Sequence, residues 1–283
     1  MTLGPLAHGA GDPTLRFDRH GIWRATRTPL GPATIRLSVV GRAIDAEAWG
    51  PGAAWLLEGL PAFLGAEDEP SALRPTQPLL RALAGRLRGL RFSRTRVVVE
   101  ALVPAVIEQK VTGTEARRAY RALIARYGEA APGPVDLRLP PTPQTLGALP
   151  YHAYHPLGLE KRRADTLRRI GRHADLLEEA AALGPALADA RLQLIPGVGP
   201  WTSAEVRRTA LGDPDALSVG DYHVPNLVAW ALAGEARGSD ARMLELLEPY
   251  RGQRARVVRL LEASGLRPPR FGPRMMPRSI AAI

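Results

Sequence analysis

The chain contains no cysteine. That absence excludes a disulfide framework, a thiolate zinc site and a cysteine-ligated iron–sulfur cluster together. No run of eighteen apolar residues occurs, so no membrane-spanning helix is expected. The opening residues, MTLGPLAHGAGDPTLRF, lack the basic start, apolar middle and small-residue cleavage site of a secretory signal, and a cytoplasmic protein is expected. Lysine is scarce: only Lys110 and Lys161 stand among 38 basic residues. The histidines show no metal-ligand spacing, so no catalytic metal is expected.

What is present is a chain of 283 residues, 45% apolar, long enough for one large or two modest cores. The 38 basic residues outnumber 28 acidic ones, giving a net charge of +10, the direction expected for a polyanionic partner such as nucleic acid. Arginine enrichment accompanies enrichment in Ala, Gly and Pro, as genome-wide base composition produces, so charge alone does not decide the partner.

The first ninety or so residues alternate in strand style over 14–28, 33–40 and 43–49, with turns at His20-Gly21, Gly31-Pro32 and Gly41-Arg42. A small antiparallel sheet is predicted, then a helix over 51–60 and an arginine-rich helix over 79–90. Beyond a boundary near residue 92 the spacing becomes helical: Val97, Val98, Ala101, Leu102, Ala105 and Val106 form one face, and Thr112 with Glu115 forms a capping box. Helices are expected from Thr142-Pro143, over 159–183 (one or two), 187–194, 202–211, 224–232, 240–247 and 253–264. The predicted class is α+β: an N-terminal domain at 1–92, a helical core at 93–266 and a basic tail at 267–283.

Leu192-Gln-Leu-Ile-Pro-Gly197-Val-Gly199-Pro-Trp201-Thr-Ser-Ala joins two helical stretches through a turn with two glycines. Glycine tolerates positive φ, and a helix that opens just after Gly199 offers free N–H groups to a phosphate without reading sequence. An ordinary corner between helices has the same outline. Asp221 stands twenty-two residues beyond Gly199, just before a helix with Pro225 in its first turn, which is also what an N-cap looks like.

The string L-x-x-I-P-G-V-G-x-W-T-x-A resembles the helix-hairpin-helix of the HhH-GPD superfamily of base-excision DNA glycosylases, and is most similar to its 3-methyladenine glycosylase II family. The resemblance takes in 103–127, 158–174, Ala210-Leu-Gly-Asp-Pro-Asp and Val219-Gly-Asp-Tyr-His-Val224, about residues 92–265 in all. It implies a grip on double-stranded DNA through Gln109, Lys110, Thr112, Gly197, Val198, Gly199 and Thr202. It also implies a structural Na+ or K+ on the carbonyls of Gln193, Ile195 and Val198, and Asp221 as the carboxylate that stabilises positive charge on the deoxyribose. Asp213 and Asp215 remain turn and cap residues. Tyr222 and Trp201 become candidates for the base pocket, as does Tyr154 in a proline-bounded loop. Trp201 fits a core aromatic of the first helical turn equally well, and Tyr154 a half-buried surface turn.

Members of the superfamily with an iron–sulfur cluster are excluded by the missing cysteines. Members that cleave the strand carry a Schiff-base lysine where this chain has Trp201, which implies a monofunctional enzyme that leaves an abasic site. An indole face there suits cationic rings such as alkylated purines. Lys110 occupies the place of an apolar wedge; its stem can fill space, or it is a solvated lysine at a helix end. No cofactor is required, and a monomer is expected. The competing readings are a glycosylase of the same fold for oxidised or deaminated bases, and a non-catalytic DNA-binding protein in which Asp221 only caps.

Overall fold

The computed structural model describes residues 2–269 and residue 280. Most of the expected basic tail therefore lies outside the described residues. Strands β1 (Leu15–Asp18), β2 (Gly21–Thr28), β3 (Gly31–Val40) and β4 (Ala43–Trp49) pair antiparallel in chain order. Alternation gives the sheet two faces. Ala33, Ile35 and Leu37 pack with Leu56 and Phe63 of helices α1 (Ala53–Glu58) and α2 (Leu60–Phe63). Trp23 and Ala25 face the other way, onto Leu137 and Leu139.

Those two leucines come from the middle of the helical region, around a short pairing of β5 (Glu129–Ala130) with β6 (Arg138–Leu139) that was not expected. Part of the sheet is thus packed on both faces, while Val39, Val40 and Ile44 at the far ends of β3 and β4 stay exposed.

Helix α3 (Pro78–Arg86) precedes α4 (Val98–Ile107), which is buried almost all round rather than along one face. It is the central helix. Leu102 and Ile107 are fully buried, worth about 1.5–3 kcal/mol each. Around it lie α5 (Gly113–Tyr127), α6 (Pro143–Ala148), α7 (Tyr151–Tyr154), α8 (Lys161–Arg172), α9 (Ala174–Glu178), α10 (Pro185–Gln193) and α11 (Pro200–Val206), the last continued by a π-helical turn at Arg207–Leu211. The Thr112–Glu115 capping box opens α5 as predicted.

Glu178 of α9 caps α4 from outside, accepting the N–H groups of Val98 and Val99 at 2.8 and 2.9 Å. Burial pushes its carboxyl above the usual range, against the pull of those two donors.

A second core forms among α12 (Val224–Ala233), α13 (Asp240–Leu247) and α14 (Arg254–Ser264). Leu73, Leu80, Leu83 and Leu90 belong to it. The expected division at residue 92 is therefore not a division in packing. The apolar stripe of α3 finds its partner on α14, and the buried Asp68–Arg256 pair ties the same segment there. Among the described residues no helix is long and apolar enough to cross a membrane.

Candidate active site

The turn between α10 and α11 is anchored from below by Leu192, Ile195 and Val198, all buried, while Leu194 is exposed. Its two glycines serve different ends. Gly197 has φ +103°, and a Cβ there would lie 2.0 Å from Thr166 Oγ1, so the fold itself demands glycine. Gly199 is extended, and a Cβ would meet nothing within 4 Å. Its backbone faces open space. No side chain caps α11, and Pro200 has no N–H, so the first-turn N–H groups of Trp201 and Thr202 point outward with no partner inside the helix.

Gln109, just past the end of α4, locks the hairpin in place. Its amide donates to the Gly197 carbonyl at 2.9 Å and to Thr202 Oγ1 at 2.8 Å. Both side chains expected at the DNA are therefore turned inward, with Thr202 only 2% exposed. Thr112 is likewise engaged with Glu115. Lys110 alone of that turn is exposed, and it holds φ +56°, a left-handed conformation that costs a non-glycine residue about 1–2 kcal/mol.

Helices α4 and α11 lie antiparallel. Gln109 meets the start of α11, while ahead of α4 the N–H groups of Thr95 and Arg96 bond to the carbonyls of Thr209 and Ala210. Arg94 adds a bond to the Leu211 carbonyl. These three residues satisfy carbonyls at the π-helical turn, which is what lets so irregular a turn persist.

The loop from Gly212 to α12 is braced by Asp213 on Arg207 and by Asp215 on Arg254, so both act as the turn and cap residues expected. Asp221 ends the loop. Its Oδ1 accepts the N–H groups of His223 and Val224 at 2.7 and 2.9 Å, and its Oδ2 accepts the indole N–H of Trp201 at 2.9 Å. Capping and the approach to the hairpin are thus two ends of one carboxylate. Trp201, expected from the resemblance to wall the base pocket, holds Asp221 in position through this bond.

Replacing Trp201 by phenylalanine keeps an aromatic ring, smaller than the indole, and removes that donor. The loss of that bond and of part of the indole should lower stability by about 1–2 kcal/mol, read from the urea midpoint.

The other pocket candidates part company. Tyr222 is 83% exposed and stands edge-on to His223. Tyr154 is a core residue, completely buried, donating its hydroxyl to the Leu146 carbonyl at 2.8 Å, and burial raises its pKa far above the usual phenol value. Tyr154 is therefore not a pocket wall: its loop is the short helix α7, and its ring fills the first core.

Sequence reasoning missed Glu205 and Arg208. Glu205 follows Trp201 by four residues, one turn further along the same face, and that spacing was the available signal. Its carboxylate accepts from Ser218 Oγ and Arg208. Ser218 in turn accepts the N–H of Asp221 on its carbonyl. Burial raises the Glu205 pKa, opposed by Arg208 and Ser218. Burial works against the Arg208 charge, but Glu205, Glu262 and Asp221 together hold its pKa up.

No family model matches the chain. Over 151 residues it is 32% identical to the "Probable bifunctional transcriptional activator/DNA repair enzyme AlkA" of Mycobacterium tuberculosis, covering 51% of this chain and 29% of that protein. The chain thus matches less than a third of the length of this curated relative. Among solved structures, a 3-methyladenine DNA glycosylase from Archaeoglobus fulgidus superposes with a TM-score of 0.75 at 20% identity, over 92% of this chain and 90% of that one. An 8-oxoguanine glycosylase/lyase from Clostridium acetobutylicum gives 0.65 at 12% identity, over 88% and 98%.

The chain has the helix-hairpin-helix glycosylase fold. In this fold the hairpin, the exposed Lys110 turn and Asp221 gather at one end of the α4–α11 pair.

Proposed function

We propose that the chain is a monofunctional DNA glycosylase that hydrolyses the N-glycosidic bond of alkylated purines in double-stranded DNA and leaves an abasic site. The observation that carries this is the Asp221 carboxylate, held by three N–H donors, one of them from the helix that opens with the hairpin. As the base–sugar bond breaks, positive charge builds on the deoxyribose. A carboxylate already fixed in place stabilises that charge without reorganising, and it can orient the attacking water.

The outward N–H groups of Trp201 and Thr202, beside the open backbone at Gly199, suit a DNA phosphate. The carbonyls of Gln193 and Val198 accept no hydrogen bond among the described residues, while that of Ile195 accepts the Val198 N–H and keeps one lone pair. The three fit a bound Na+ or K+, which would add positive charge where the phosphate lands. In this reading Lys110 enters the gap left by a flipped base, which its exposure and its left-handed turn beside Gln109 support.

No amine replaces the Schiff-base lysine. Trp201 holds that position, and Lys161 pairs with Asp165 one turn along α8 at 2.6 Å. The enzyme acts in this reading as a cytoplasmic monomer.

A panel of duplexes, each carrying one lesion and scored for abasic sites with and without alkali, tests the proposal. Methylated purines should be released and strands should break only after alkali. Cleavage without alkali contradicts the monofunctional assignment. Preferential release of oxidised or deaminated bases moves the substrate class, and release of none leaves a DNA-binding protein.

A further inference from the structure

Helix α8 lies against the hairpin, and Thr166 is the contact. Its side chain is buried where a Cβ on Gly197 would fall, and its hydroxyl donates to the Arg162 carbonyl at 2.9 Å. Residues four before and three after a helical position share its face. Here they are Arg162 and Arg169, so one arginine stands on either side of Thr166, about 10 Å apart along the helix axis.

Neither guanidinium is used up by the fold. Arg169 donates one N–H to the Pro196 carbonyl at 3.2 Å, in a bond open to solvent, and its other N–H groups have no partner among the described residues. A guanidinium carries five N–H donors, so most of that fork is free. Arg162 is exposed, and its side chain has no hydrogen-bond or ion-pair partner among the described residues.

The acids of this stretch are engaged elsewhere. Asp165 holds Lys161 and Arg168 at 2.6 and 3.3 Å, and Glu160, just ahead of the helix, stands 3.7 Å from Arg163. Between Glu160 and His173 these two carboxylates face Lys161 and five arginines, so the charge on Arg162 and Arg169 is left uncompensated.

The hairpin also fixes where one fork points. The carbonyls of Pro196 and Gly197 are consecutive; Arg169 takes the first and Gln109 the second. Arg169 is therefore tethered to the turn itself, two residues before the open backbone at Gly199. A planar fork held in place matches the paired oxygens of a phosphate, with little freedom left to lose on binding.

We propose that Arg162 and Arg169 form a two-point phosphate clamp on α8, which takes the DNA strand as it runs past the hairpin and extends the grip beyond the N–H groups of α11. The clamp touches phosphate alone, so it positions the duplex without reading sequence or lesion. It rests on the DNA-binding part of the glycosylase reading and not on base release.

The test titrates the full chain with a duplex carrying one tetrahydrofuran abasic analogue, by fluorescence anisotropy over a series of salt concentrations. Each phosphate contact contributes about 0.9 to the slope of log affinity against log salt. Arg162→Gln and Arg169→Gln should each weaken binding about fivefold to tenfold and lower that slope by about one, and the double variant should lower it by about two. Arg169→Lys keeps the charge and should keep the slope. Arg42→Gln, on the β3–β4 turn, removes the same charge outside this face and should change neither quantity.

A slope that stays at the wild-type value in either folded variant overturns the proposal, as does an equal loss from Arg42→Gln. Lower affinity for Arg169→Gln with its slope intact would mark a brace for the hairpin and nothing more. Should Arg169→Gln fail to fold, Arg162→Gln decides, because that side chain makes no bond within the described fold. A protein that shows the expected slopes yet releases no base upholds the clamp and defeats the glycosylase reading. Base release with unchanged slopes does the reverse.

Discussion

Asp221→Asn is expected to lower release of methylated purines by about a hundredfold or more while leaving DNA binding close to wild type. The amide retains an oxygen for the N–H groups of His223 and Val224, so the start of α12 should survive. The position facing Trp201 Nε1 becomes a poor acceptor, and the negative charge is gone. Loss of one hydrogen bond and weakening of a cap should cost about 1–2 kcal/mol of stability. Single-turnover release, a DNA-binding titration and a urea melt separate the three effects. If Asp221→Asn released base as fast as wild type, Asp221 would be a cap and nothing more.

Gly197→Ala is expected to destabilise the protein by on the order of 3 kcal/mol, with Gly199→Ala nearly neutral. At Gly197 a side chain must adopt φ +103° and also displace Thr166 Oγ1 from a 2.0 Å approach. The strained backbone costs about 1–3 kcal/mol and the overlap a similar amount. At Gly199 the backbone is extended and the space beyond it empty, so alanine should fold within about 1 kcal/mol of wild type. That methyl group would stand where a phosphate is proposed to approach, and DNA affinity should fall about fivefold to tenfold. Urea midpoints and DNA titrations of the two variants read the contrast directly. Comparable loss of stability in both would contradict the assignment of different tasks to the two glycines.

Much of the architecture was legible along the chain. The strand boundaries followed from period-two alternation and glycine turns, and the Thr112–Glu115 box from its own spacing, because both are set by neighbours within a few residues. The hairpin and Asp221 were legible from their strings of residues. The role of Trp201 was not: a tryptophan one turn into a helix can pack, stack or donate, and only its 2.9 Å approach to Asp221 decides. Tyr154 sits among prolines and polar aromatics, a composition that fits a surface turn as well as a buried one. Its burial depends on α6, whose Leu146 carbonyl takes its hydroxyl proton. Gln109, which the resemblance assigned to the DNA grip, holds the hairpin with its amide, because only the folded chain brings Gly197 and Thr202 within its reach.

By itself, the sequence determined the class of the fold, the absence of thiolate chemistry, the scarcity of amines and the order of elements, since these depend on composition and on local periodicity. Tertiary structure alone decided that α3 packs with the C-terminal helices, that Asp221 is both a cap and Trp201's partner, and that Thr166 of α8 packs on Gly197 of the hairpin. Each of these joins residues far apart in the chain, where burial and hydrogen-bond satisfaction act on the whole fold and leave no mark in local spacing.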